Sequence, residues 1–197
     1  MSRRFIPKQR YLVDFATAIY SRRAIREYTR EPVPETVLRE LIDQAIQAPS
    51  AVNEQPWIFS VVRDKALLAR ISEASKAYAL AKPPEGLTPE HLHERLNPEF
   101  DIVYGAPVLI VISSAHPGRW AVENCALAAE NLMLAACAGG LGSCWIGFAQ
   151  DWLGTPQGKS TILVPESALP VAPVIVGYPE LKAALVARRE PHIIWVG

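Results

Sequence analysis

Apolar residues recur along this chain in two rhythms, one helical and one strand-like, and their alternation sets the expected architecture. Over residues 11–20, Leu12, Phe15, Ala16 and Ile19 fall on one face of a helix. Pro32 and Pro34 then interrupt the pattern. Pro34 suits the first turn of a second helix over 35–47, where Val37, Leu38, Leu41, Ile42, Ala45 and Ile46 keep helical spacing. Pro49 stops it. Residues 57–62, Trp-Ile-Phe-Ser-Val-Val, are β-branched and aromatic and predict a strand; a helix carrying Leu67, Leu68 and Ile71 follows.

Residues 82–100 lose all periodicity and hold Pro83, Pro84, Pro89 and Pro98, the pattern of a lid or surface excursion. Residues 107–112 are wholly apolar, as a central strand requires. Residues 120–138 predict a long helix that is apolar almost all round, hence buried in a core or a subunit interface. Gly139 and Gly140 close it. Short strands are expected at 143–146 and 172–178, with a loop-rich stretch over 149–170. His192–Val196 reads as a detached strand beyond Arg188-Arg189-Glu190, a candidate to pair with another sheet edge, including one in a partner subunit. The sum is a single domain over 1–197, arranged as three-layer α/β or as α+β.

Composition narrows the function. Half of the 197 residues are hydrophobic, enough for a sizeable core. Twenty acidic and twenty basic side chains cancel, leaving no global field for nucleic acid or an anionic membrane. Met1-Ser2-Arg3-Arg4 is not followed by the apolar region of a secretory signal. The apolar stretch from Cys125 to Leu141 is interrupted by Glu130 and Asn131 and is too short to span a bilayer. Three cysteines, Cys125, Cys137 and Cys144, form no CxxC pair, which points to a reduced, cytoplasmic protein with buried thiols.

Two segments carry most of the candidate chemistry. Ser21-Arg22-Arg23-Ala24-Ile25-Arg26 concentrates three guanidinium groups, which suit phosphate or a carbonyl-rich ring edge. The bland reading is a solvated helix end, where cations favour the dipole. Asn53 and Gln55 sit between Pro49 and Pro56, a stiff loop whose amides can pair with a heteroaromatic edge. The bland reading there is a helix stop and a turn. Gly139-Gly140-Leu141-Gly142-Ser143-Cys144-Trp145-Ile146-Gly147 lets backbone approach a flat ligand, but it follows a helix and precedes a strand, the reverse of a Rossmann fingerprint. Gly154 to Thr161 imitates a phosphate loop, yet only three residues separate Gly154 and Gly158 and the stretch follows a helical turn at Asp151-Trp152-Leu153 instead of a strand, so a solvent loop is expected. His91 and His93 have poor spacing for metal, and no GxSxG occurs.

In combination, the motifs resemble the nitroreductase family of FMN-dependent oxidoreductases. Ser-Arg-Arg-Ala-Ile-Arg resembles its first motif and Pro49-Ser50-Ala51-Val52-Asn53-Glu54-Gln55-Pro56-Trp57 its second. Gly105-Ala106-Pro107, the glycine-rich run to Gly147, and Val176-Gly177-Tyr178-Pro179 with the later Arg189-Glu190-Pro191 follow in the family's order. The likeness spans about Ile19 to Pro191.

The resemblance implies an α+β, three-layer nitroreductase-like fold with a central mixed sheet flanked by helices. It implies a homodimer that exchanges its C-terminal strand and holds FMN in a cleft built by both chains. By position, Arg22, Arg23 and Arg189 would face the phosphate, Ala24 would line the cofactor, and Arg26 would face the N1/O2 edge of the flavin and support its reduced form. Pro49, Ser50, Ala51, Asn53 and Gln55 would approach from the partner, and Ile146 and Gly147 would offer backbone N–H groups near N5. NAD(P)H would reduce the flavin, and a nitroaromatic or quinone would reoxidise it, with no catalytic side chain required. Another flavin enzyme on the same scaffold (flavin-fragmenting, dehalogenating or dehydrogenating) and a non-enzymatic flavin-binding module are the rival readings. Ala24 and Ala51 stand where the family commonly has serine, and the loop after Trp145 lacks an acidic residue. No contiguous segment reads as a 2′-phosphate pocket, so NADH and NADPH are not distinguished.

Overall fold

Four strands make one sheet in the order β1-β2-β4-β3: Trp57–Val62 (β1), Val108–Ser114 (β2), Gly142–Trp145 (β3) and Leu169–Gly177 (β4). The structure, a computed structural model, describes residues 13–82, 97, 99–181, 183–184 and 186–197. Every ladder is antiparallel. The mixed character expected of the sheet comes down to one parallel bridge, Ala24 to Ser143.

The central strand explains the three layers. All of Val108–Ser114 is buried. Its even positions, Val108, Ile110 and Ile112, join a core with helices Glu35–Ala45 (α2) and Ala121–Ala138 (α4). Its odd positions, Leu109 and Val111, join a second core with helix Lys65–Ala81 (α3) and the short helix Gln150–Leu153 (α5). Side chains alternate across a strand, so a wholly apolar strand can feed two cores at once. Fully burying residues of this size contributes about 1.5–3 kcal/mol each.

The first helix, Phe15–Ser21 (α1), starts later than expected because the Asp14 carboxylate accepts from the Thr17 N–H and caps it; Leu12 lies outside the described residues. Only Ala18 of α1 is buried, and Phe15 and Tyr20 are 73% and 78% exposed, so its apolar face is uncovered among the described residues. Pro34 caps α2 from outside, and the helix ends at Ala45 with a turn before Pro49. Most of the 82–100 excursion lies outside the described residues.

Two expectations need correction. The loop-rich 149–170 stretch contains, besides the helical turn expected at residues 151–153 and seen as α5, a further helix, Pro156–Thr161 (α6). The imitation phosphate loop is therefore no solvent loop. Thr155 caps Gly158, Pro156 takes the first turn, and Lys159 donates to the Glu166 carbonyl at 2.6 Å. A Cβ at Gly158 would collide with the Trp152–Leu153 backbone, so that glycine serves packing. Strand β4 begins at Leu169, ahead of the expected 172, with a register shift that accommodates Pro170. Residues 192–196 form no strand in the single chain; Ile194, Trp195 and Val196 are 73%, 89% and 95% exposed.

No disulfide joins the three cysteines: Cys125 and Cys144 are buried, and Cys137 is half-buried against Ser21. Burial pushes the Cys125 thiol up to about 12, so it stays protonated and is no nucleophile at neutral pH. No described helix is long and apolar enough to cross a membrane.

Candidate functional site

The arginine segment is fixed against β3. After α1 ends, the Ile25 N–H donates to the Ser143 carbonyl at 3.0 Å, beside the Ala24–Ser143 bridge. This approach needs a glycine at 142, since a Cβ there would lie 2.8 Å from the Ile25 Cβ. The buried Tyr28 hydroxyl donates to the Ile25 carbonyl at 2.7 Å and holds the segment from its other end. Burial, then the neighbouring Cys144, push that phenol well above its ordinary range, so it remains a donor.

The arginines have different partners. Arg22 Nε lies 3.6 Å from Glu130 Oε1. Arg23 Nη1 donates to the Tyr20 and Arg22 carbonyls at 2.9 and 2.7 Å, satisfying the open end of α1. The bland reading of a helix-end cation thus holds in part for Arg23. Its Nε, however, is buried without an acceptor among the described residues. A cavity of about 420 Å³ opens beside Ser21, Arg22, Arg23 and Ser143. A buried donor without a partner calls for a ligand oxygen or water.

The end of β3 supplies a second pocket, lined by Arg26, Phe100, Tyr104, Trp145, Ile146 and Gly147. The Ile146 N–H donates to the Pro173 carbonyl at 2.7 Å, so it is not the free donor expected from the sequence. The Gly147 N–H has no partner among the described residues, and a Cβ there would meet nothing within 4 Å. Arg26 is exposed, with Cζ 5.7 Å from the Tyr104 ring centroid. Tyr104 packs edge-on against Phe100 at 5.3 Å. The Tyr104 backbone is left-handed, φ 54°, and the Asp101 carboxylate fixes that turn by accepting from the Val103 and Gly105 N–H groups. Tyr104 and Phe100 belong to no motif and were not legible in the sequence.

The amide-rich loop is strained. Val52, Asn53 and Gln55 all have positive φ, at 48°, 57° and 50°. Such conformations cost about 1–3 kcal/mol each and persist only where surroundings over-determine them. Here the Gln55 N–H donates to Ser50 Oγ at 3.0 Å and the Gln55 side-chain amide to Asn53 Oδ1 at 2.8 Å. The main clamp is Asn124 on α4, 2% exposed. Its Oδ1 accepts from the Ala51 N–H at 2.9 Å, its carbonyl accepts from the Trp57 indole at 2.8 Å, and its Nδ2 reaches Glu54 at 3.4 Å. Glu54 also pairs with His116 Nε2 at 2.7 Å. Sequence analysis missed Asn124. The signal was there: a polar side chain beside Glu123 in the first turn of a mostly apolar helix.

One chain does not bring the two segments together. The loop is anchored on α4 at Asn124, whereas the end of α1 is anchored at Cys137 through Ser21. At 1.5 Å per helical residue those anchors stand about 20 Å apart. Arg22, Arg23, Ala24, Arg26, Ile146 and Gly147 therefore gather around β3, and Pro49, Ser50, Ala51, Asn53 and Gln55 lie at the other end of α4. Arg189 is exposed on the irregular C-terminal segment.

The sequence pattern of the Nitroreductase family matches residues 19–178. The chain belongs to the nitroreductase family. A Methanothermobacter thermautotrophicus protein named as an NADH dehydrogenase/NAD(P)H nitroreductase is 33% identical over 172 residues, 85% of this chain and 78% of that protein. Matches to two other relatives span only 31% and 32% of their lengths. A Hydra vulgaris iodotyrosine deiodinase is 35% identical over 60 residues, 30% of this chain and 22% of that one. The crystal structure of a Bacteroides fragilis nitroreductase with bound FMN superposes with a TM-score of 0.78 at 30% identity, covering 94% of this chain and 100% of that chain. The α+β fold of this family member is thus the one expected from its motifs.

Proposed function

We propose that this family member is an FMN-dependent oxidoreductase that passes hydride from NAD(P)H to an electron-poor acceptor such as a nitroaromatic or a quinone. The observation that carries the reading is Gly147: an unpaired backbone donor with open space before it, beside a cation and two aromatic rings. That is the lining a flat heteroaromatic ring requires. The orphaned Arg23 Nε fits the other end of the same ligand, where a phosphate oxygen would supply its missing acceptor. FMN, when bound, supplies a two-electron centre that accepts hydride and releases it to a second substrate.

The chain's own residues bind and orient. Arg22 and Arg23, with Arg189, hold the phosphate. Arg26 places positive charge at the ring edge, where negative charge develops on reduction. The Gly147 N–H donates to the ring's polar edge, and Phe100 and Tyr104 exclude water from that side. The loss of hydroxyls at Ala24 and Ala51 removes two contacts without removing a cation. The deiodinase likeness favours one second reading, reductive dehalogenation in the same pocket; halide release without quinone turnover distinguishes it.

The site is shared by two subunits. The anchors of its two walls, Asn124 and Cys137, stand about 20 Å apart along α4, which supports a second copy bringing Asn53 and Gln55 to Arg26 and Gly147. The uncovered apolar residues Phe15, Tyr20, Val122 and Trp195 are what such a partner would bury. Three cysteines with no disulfide between them support a reducing, cytoplasmic setting. The test is subunit mixing. Arg22→Ala and Asn53→Ala should each weaken FMN retention, and mixed dimers carrying one substitution per chain should regain one intact site. Mixing that restores no flavin would rule out the shared site.

A further inference from the structure

Beyond the Tyr104 wall lies a larger groove, about 890 Å³, between the segment around Thr29, the start of α3 and the 101–107 turn. Its size is within the range of small-molecule sites. Arg30, Arg63 and Lys65 line it, and none of the three has an ion-pair or hydrogen-bond partner among the described residues. Two carboxylates line it as well, and both are engaged by backbone. Asp64 accepts from the Leu67 N–H at 2.7 Å to cap α3. Asp101 accepts from the Val103 and Gly105 N–H groups at 3.0 and 2.8 Å. Three cations against two carboxylates leave the groove one net positive charge, and the cations are the side chains with donors to spare.

Tyr104 lines both this groove and the pocket that holds Arg26 and Gly147. With the flavin ring in the small pocket, a ligand straddling Tyr104 would lay a planar head against that ring and an anionic arm in the groove. We infer that the groove binds the phosphate-bearing arm of the reduced nicotinamide nucleotide, with Arg30, Arg63 and Lys65 as its phosphate contacts. The inference rests on the oxidoreductase reading for the identity of the head group. Exposed cations of this kind hold phosphate through charge-assisted hydrogen bonds. The sequence offered no 2′-phosphate pocket because Arg30 is separated from Arg63 and Lys65 by an entire helix and strand.

The test uses the triple variant Arg30→Ser, Arg63→Ser, Lys65→Ser and two reductants. One is NADPH; the other is 1-benzyl-1,4-dihydronicotinamide, which has the same reacting ring and no phosphate. The KM for NADPH should rise by roughly 10-fold or more, with kcat at saturation retained and the KM for the benzyl compound unchanged. The salt dependence of the NADPH KM should flatten. Calorimetric titration of 2′-phospho-ADP-ribose into the protein should show a parallel loss of affinity. An unchanged KM for NADPH with unchanged 2′-phospho-ADP-ribose affinity overturns the inference while the oxidoreductase reading stands. Conversely, a wild-type protein that NADPH cannot reduce, yet which binds 2′-phospho-ADP-ribose through these cations, keeps the groove and removes the oxidoreductase reading.

Discussion

Gly147→Val is expected to abolish FMN retention while leaving the protein folded. A Cβ at Gly147 meets no protein atom within 4 Å, and the backbone there is not left-handed, so the added side chain strains nothing within the chain. It would instead fill the space in front of the unpaired N–H, which the account gives to the flavin ring. Overpacking costs about 1–3 kcal/mol, and the hydrogen bond from the displaced N–H adds about 1 kcal/mol. Together they correspond to roughly a 100-fold loss of affinity or more. The flavin-to-protein ratio after desalting reads the loss, and an unchanged melting temperature of the flavin-free protein shows that the fold survives. The same substitution with full flavin occupancy would remove Gly147 from the site. Gly142 is uninformative by comparison, because there the clash is with Ile25 of the same chain.

Asn124→Ala is expected to release the strained 51–55 loop and with it much of the flavin affinity. The change removes the acceptor of the Ala51 N–H and the contact to Glu54, while the Trp57 indole keeps its backbone partner. An unpaired buried donor costs about 1–3 kcal/mol. Part of that is recovered as Val52, Asn53 and Gln55 relax from positive φ, so the stability loss should be smaller than the loss in binding. Hydrogen exchange at the Ala51 and Gln55 amides should accelerate even without flavin, and FMN affinity should fall by roughly 10-fold. Asn124→Asp keeps an oxygen for Ala51 but sets a carboxylate against Glu54, and should fall between. If loop exchange is the same in Asn124→Ala as in wild type, the clamp is not Asn124.

What the sequence revealed follows from how local each signal is. Long elements of one rhythm, such as β1, β2 and α4, were legible almost to the residue, because periodicity alone distinguishes them. Helix α6 was hidden by Gly154, Pro156 and Gly158, which read as turn residues, whereas the turn that becomes α5 was legible at residues 151–153. In the structure Pro156 opens a helix and Gly158 allows close helix packing. The segment 192–196 has strand chemistry but no partner in one chain, so it stays unpaired. At the site, the arginine segment and the amide loop were legible because their residues are contiguous. Asn124, Tyr104 and the three groove cations were not, because each acts across a long sequence separation. The Ile146 N–H illustrates the converse: contiguous with the right motif, yet already bonded to Pro173 across the sheet.

The central claim is that this chain is a flavin-dependent oxidoreductase reduced by a nicotinamide nucleotide. An anaerobic titration of the FMN-loaded protein with NADPH, and separately with NADH, tests it most directly. The account predicts stoichiometric bleaching of the flavin absorbance near 450 nm, and its return on adding a quinone. A protein that takes up no FMN, or one whose flavin neither nucleotide can bleach, would contradict it.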